Sequence, residues 1–206
     1  MDSFTKKEKK LLKKLNTPAR VQDFLNRLPF NFEKQGRKTV ETLKSPILTL
    51  RARRAHCFEG ALLGAYMLSL HGFAPLVLHL EATKHDYDHV VVPFKVGKFW
   101  GALSKTNHAV LRYREPVYKN IRELAMSYFH EYFLNNGKKT LRKYSAPFNL
   151  NTLNKNWITS RKDLWYIDKK LDKVKHYKIL PKNMEKKLRK AEKIEIKAGE
   201  IVEYSR

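Results

Sequence analysis

Phe4, Leu11, Leu12 and Leu15 fall on one side of a short helical repeat whose other side is lysine, so the pattern predicts a cationic amphipathic helix at the start of the chain. Thr17 followed by Pro18 is a helix-start signal, with the threonine as N-cap and the proline at the first helical position. Val21, Phe24, Leu25 and Leu28 then recur at helical spacing, and this second helix ends near Pro29. Residues 30 to 55 mix Phe30, Phe32, Gly36, Pro46 and the basic run Arg51, Arg53, Arg54 without a sustained period, which predicts a long packed connection.

From Cys57 to Leu70 almost no polar face is left, so the segment predicts a helix buried all round, ended by Gly72. Gly60 and Gly64, on one side, let a neighbouring element approach closely. Three strands are expected next, at 76–82 (LVLHLEA), 89–96 (HVVVPFKV) and 98–104 (KFWGALS), the last two as a hairpin around Gly97. Pro93 suits only an edge or bulge position. Pro116 opens an amphipathic helical pattern in which Val117, Ile121, Leu124, Ala125, Tyr128 and Tyr132 share a face, closing at Asn135, Asn136 and Gly137. Further on, the sequence suggests a helix around 162–175, a short strand around 177–180, a Lys-rich helix at 183–193 and a final strand at 195–204. The expected fold class is α+β, with helices at both ends of a small antiparallel sheet.

At 206 residues and 42% apolar the chain supports one domain, 1–206, with a basic N-terminal helix and a Lys-rich C-terminal extension. No run is apolar and long enough to cross a bilayer, and the N-terminus lacks the pattern of a signal peptide, so a cytoplasmic protein is expected. A formal charge of +23 suggests a polyanionic partner such as nucleic acid. The charge lies at the ends: residues 57–104 hold three basic and four acidic side chains, whereas 138–206 hold 20 and eight. With a single cysteine there is no internal disulfide and no multi-cysteine zinc site, which leaves Cys57 for packing or for chemistry. No phosphate-binding glycine loop is present, so no organic cofactor is expected. His85, Asp86, Asp88 and His89 are of metal-ligating type, but their spacing fits no common site and no metal is expected.

Nucleophilic catalysis needs a thiolate, and Cys57 would sit in the first turn of its helix, where unpaired N–H groups and the dipole favour negative charge. His89, opening a strand, is the candidate base, and a polar residue closing the next strand is the candidate orienter. His56, adjacent in sequence, reads as a poor base, because consecutive helical side chains diverge by about 100°. A lone cysteine on an apolar helix reads equally as a small core hydrophobe.

The series AHCFEGALLGAYML, YDHVVVPF and KFWGALS resembles the transglutaminase-like superfamily, whose core is related to papain. The resemblance spans residues 57–104 and implies thiolate attack by Cys57 on an amide or other acyl carbonyl, with His89 as base and a thioester intermediate. The third residue of that family is usually an aspartate; here the position falls on Ser104, and Asn107 is three residues further. Both are neutral, so Asp86 or Asp88 is a conceivable source of the missing charge. The implied partner is a protein, peptide or other acyl substrate. The alternative is a non-catalytic module of the same fold that grips nucleic acid or protein through its basic ends.

Overall fold

In the computed structural model, which describes residues 3–35 and 38–205, the chain begins with α1 (Lys6–Lys14) and α2 (Pro18–Asn26). A two-stranded ribbon, β1 (Lys34–Gln35) and β2 (Lys38–Thr39), leads to α3 (Pro46–Ala52) and α4 (Cys57–Ser69). Then come β3 (Leu76–Glu81), β4 (His89–Val96), β5 (Phe99–Leu103), β6 (Arg114–Tyr118) and α5 (Ile121–Met126). The chain closes with β7 (Lys143–Ser145), β8 (Phe148–Asn149), α6 (Trp165–Asp172), β9 (His176–Lys178) and α7 (Lys193–Glu200). The main sheet runs β6-β5-β4-β3-β7-β9, with β8 on the remaining part of β3 and all these pairs antiparallel. The fold is α+β, as expected.

Both faces of the central strands are covered, which is why β3 and β4 read as unbroken apolar runs rather than alternating ones. Val77, Val90, Val92, Phe94 and Leu103 share one core with buried residues of α1 to α4, while Leu78, Leu80, Val91 and Ala102 share the other with Leu124, Ala125, Tyr128 and Tyr132. Pro93 fits because the β3 ladder ends at the pair Leu78 and Val91, so beyond that point β4 is bonded only to β5. α4 is the helix buried all round, with only Cys57, Tyr66 and Ser69 partly exposed.

Four expectations fail for local reasons. The connection at 30–55 contains α3, started by Ser45 and Pro46, the same signal as Thr17 and Pro18, and anchored by buried Ile47 and Leu50. The helix expected from Pro116 begins only at Ile121, capped by Asn120; residues 114–118 form edge strand β6, where a proline is tolerated and Val117 is 63% exposed. Tyr128 and Tyr132 still bury, but from the turn after α5. At the end of the chain, 183–193 holds a single 3-10 turn, Met184–Lys187. The expected strand at 195–204 is instead α7, started by a reciprocal cap between Glu192 and Glu195. Among the described residues no helix is long and apolar enough to cross a membrane.

The close approach foreseen at Gly60 is real: a Cβ there would lie 2.5 Å from Cβ of Lys105. Lys105 is buried along its length, its amine donates to the Leu28 carbonyl under the ring of Tyr204, and burial pushes its pKa down to about 8. Gly60→Ala should therefore lower stability despite a gain in helix propensity of about 1 kcal/mol. The expected net loss in urea unfolding is about 1–2 kcal/mol, because the Cβ and Cγ of Lys105, at the root of a buried side chain, must move.

Candidate active site

Cys57 occupies the first position of α4, and His56 is its N-cap, in extended backbone conformation rather than helical. That difference overturns the argument that neighbouring side chains must diverge. The His56 imidazole folds back over the helix end, with Nδ1 3.2 Å from the Phe58 N–H and Nε2 2.8 Å from the Thr42 carbonyl. Glu59 closes the reciprocal cap by accepting the His56 N–H at 3.3 Å. Its carboxylate has no solvent exposure; it pairs with Lys44 at 2.8 Å and accepts from Asn31 and Thr42 at 3.0 and 2.8 Å. These bonds tie the ribbon segment to the head of α4.

His89, buried at the first position of β4, stands with Nε2 2.8 Å from Oγ of Ser104. The direction of that bond can be read from the next one. The Ser104 hydroxyl donates its single proton to the Leu111 carbonyl, so Oγ accepts from His89 and the Nε2 of His89 carries the hydrogen. Nδ1 is then the unprotonated nitrogen available to the thiol. Ser104 is itself clamped by Gln22 of α2, which accepts from its N–H at 2.9 Å and donates to its carbonyl at 2.8 Å.

The thiol of Cys57, on a partly exposed residue, interacts with both imidazoles. Burial alone would raise its pKa, but hydrogen bonds and charge from His56 and His89 override that and hold it well below the usual thiol range. His56 responds in the opposite sense. Burial disfavours its cation, yet Cys57, the Glu59 carboxylate and the Thr42 carbonyl raise it to about 9.

Of the four residues expected at the site, Cys57, His89 and Ser104 come together and Asn107 does not. The Asn107 amide closes on the C-terminal segment, donating to the Tyr204 carbonyl and accepting its N–H, both at 2.9 Å. Neither aspartate serves the base: Asp86 accepts from Thr140, and Asp88 accepts from His79 Nε2 at 3.0 Å and from the Ala82 N–H. Among the described residues no group of three or more His, Cys, Asp or Glu side chains is arranged to hold a metal. Arg51 turns to Glu8 at 2.9 Å. Sequence reasoning missed Gln22 and Glu59, and its reason for setting His56 aside as a base does not apply to a residue that is the cap. Glu59, three residues after a residue able to cap, carried a usable signal; Gln22, on a helix 82 residues from its partner, carried none.

Neither a scan against protein-family models nor a search of curated proteins returns a match to this chain. The site therefore stands on its geometry.

Behind the base, Asp88 belongs to a second chain of polar groups. His79 Nδ1 lies 3.0 Å from His176 Nε2, and His176 Nδ1 donates to the Val174 carbonyl at 2.6 Å. With His176 donating there and His79 donating to Asp88, the contact between the rings is a hydrogen bond when His79 carries both protons. Burial opposes that cation, but Asp88, then Asp172 and Glu81, raise the His79 pKa; Asp88 is lowered despite its own desolvation, chiefly by His79. A raised histidine contributes stability below its unfolded pKa of about 6.5 and loses it as pH climbs through the folded value. The lowered Asp88 contributes above its unfolded value and loses it in acid. His79→Ala should thus cost more stability at pH 5.5 than at pH 9, by about 1 kcal/mol for a pair with a half-exposed carboxylate, measured by urea unfolding at both pH values. Cys57, as the sole cysteine, should react with iodoacetamide with a pH midpoint below the about 8.5 of a free thiol.

Proposed function

We propose that this chain is a thiol enzyme with a transglutaminase-like core, acting on an amide or other acyl carbonyl by hydrolysis, deamidation or acyl transfer. The observation that carries this reading is the pair of hydrogen bonds from His89 to Ser104 and from Ser104 to Leu111, which fixes the His89 tautomer and leaves a lone pair of that ring for the thiol whose pKa it helps to lower. A buried cysteine that merely filled space would need neither the helix head nor two imidazoles. In this mechanism His89 Nδ1 takes the thiol proton as Sγ bonds to the carbonyl carbon. The same proton then passes to the departing amine or alkoxide as the tetrahedral adduct collapses to a thioester. Water or an amine releases the acyl group with His89 as base. The Cys57 backbone N–H, which has no acceptor among the described residues, is placed at the helix head to stabilise the oxyanion. A free catalytic thiol of this kind suits a reducing, cytoplasmic setting.

The lysines favour a second, compatible reading. Lys6, Lys7, Lys9, Lys10, Lys13 and Lys14 project from α1, whose segment docks through Phe4, Leu12 and Leu15, and none of the six pairs with a carboxylate among the described residues. As a polyanion-binding surface, α1 would confer retention on single- or double-stranded nucleic acid that falls steeply with salt; equal retention at 50 and 300 mM salt, or none at either, removes this reading.

The enzyme reading is tested with p-nitrophenyl acetate, an activated ester that reports acylation as released nitrophenol. The native chain should give a burst stoichiometric with protein and a mass increment on Cys57, and Cys57→Ala should give neither. His89→Ala should slow turnover by about 10²–10⁴-fold. Ser104→Ala, losing one neutral hydrogen bond of about 1 kcal/mol, should slow it by about fivefold. An unchanged burst in Cys57→Ala would end the proposal.

A further inference from the structure

We infer that His56 stays protonated through the reaction and sets a fixed positive charge against Sγ of Cys57, replacing at the thiol the charge that a neutral Ser104 does not supply at the base. This rests on the reading of Cys57 as nucleophile. The donor arithmetic of the ring leads to it. A carbonyl only accepts, so the Nε2 of His56, 2.8 Å from the Thr42 oxygen, carries a proton. Nδ1 then has two options: in the neutral ring it accepts from the Phe58 N–H at 3.2 Å, and in the cation it gives up that bond and its proton is free for the adjacent Cys57.

The surroundings decide between them. Oε1 of Glu59 lies 3.7 Å from Nε2 and Oε1 of Glu33 lies 3.8 Å from it, so two carboxylates face the ring. Glu59 is kept ionised by the Lys44 amine, the Lys44 N–H, Asn31 and Thr42. The His89 Nε2 meets the hydroxyl of Ser104, and the carboxylates of Asp86 and Asp88 are turned to Thr140 and His79. Of the two imidazoles that lower the Cys57 thiol, His56 therefore has carboxylates facing it and His89 has a hydroxyl. The raised pKa of His56 and the lowered one of Cys57 agree with this assignment.

The proton inventory then balances with two protons among three groups. One remains on His56 throughout. The other begins on Sγ or on Nδ1 of His89, moves to His89 as the sulfur attacks, and leaves with the amine or alkoxide; in deacylation His89 takes it back from water. The fixed cation biases S–H···N toward S⁻···H–N⁺. His56 thus acts at the reacting sulfur without giving up a proton.

Iodoacetamide alkylation of the single cysteine, followed from pH 5 to pH 10, tests this directly. His56→Asn keeps a good capping side chain and removes the charge, so its thermal melt should stay close to that of the native chain. The alkylation midpoint should rise by a pH unit or more, making labelling about tenfold slower on the acid side, and ester turnover should fall with it. His89→Ala should lose turnover yet retain a low midpoint. The converse result, a midpoint unmoved in His56→Asn and raised to the free-thiol range in His89→Ala, overturns the inference. Should His56→Asn fail to fold, nitrogen spectra of the histidine-labelled native protein at pH 7.5 decide: both nitrogens of His56 protonated supports it, and a neutral His56 sinks it. A low midpoint moved by His56→Asn, without any Cys57-dependent acylation, would keep this inference and remove the enzyme reading.

Discussion

A carboxylate sealed from solvent at the head of a helix is the constraint on which the rest is arranged. Glu59 faces the positive end of the α4 dipole, accepts the His56 N–H and gathers Lys44, Asn31 and Thr42 around it. A buried ion pair is weak evidence for stability, since desolvation of both partners consumes most of the attraction. Its consequence here is positional. With Glu59 in place, the cap residue cannot rotate away, the segment carrying Thr42 is held over the imidazole, and Cys57 is left as the first helical side chain at an accessible end. An apolar residue at 59 could fill the space but would fix none of those three groups.

The sheet supplies the other half of the constraint. Because β3 and β4 are covered on both faces, the strands cannot slide without exposing valines and leucines, so His89 and Ser104 are held at fixed register by burial rather than by their own bond. Gln22 then joins the helical layer to the strand end by pairing with both backbone groups of Ser104. Cys57 and His89 are carried by different layers, and Gln22 and Lys105 are polar links between those layers. The amine of Lys105 reaches the Leu28 carbonyl after α2, while its stem lies against Gly60 of α4.

What could be read from the sequence follows from which physics acts locally. The caps at Thr17 and Pro18, the all-apolar α4 and the strands at 76–81, 89–96 and 99–103 depend on neighbours within a few residues, and their patterns were visible. The ordered series of Cys57, His89 and Ser104 was visible for the same reason, as a helix start and two strand ends. Pro116 misled because proline at a helix start and proline on an edge strand look alike until the sheet order is known. Asn107 misled because a short polar side chain near the base was weighed without the C-terminal segment that claims it. His56 was misjudged by treating a cap as a helical residue: one residue of difference in where the helix begins separates a side chain that diverges from one that folds over the helix end.

The bond between Ser104 and His89 also has a structural cost, carried by the residue that accepts the Ser104 hydrogen. A hydroxyl can receive the His89 proton in a defined direction only if its own hydrogen is committed elsewhere, and the acceptor is the carbonyl of Leu111. Leu111 is in the left-handed region, with φ of 61°, a conformation unfavourable for a branched side chain. It is kept there by its N–H, which donates to Glu131 at 2.8 Å, while Arg114 binds the same carboxylate and lies over the ring of buried Tyr128. An aspartate at 104 would have needed none of this, since a carboxylate accepts whichever way it turns. Holding the ring with a hydroxyl thus places the burden of orientation outward, on a residue at positive φ and the ion pair that holds it.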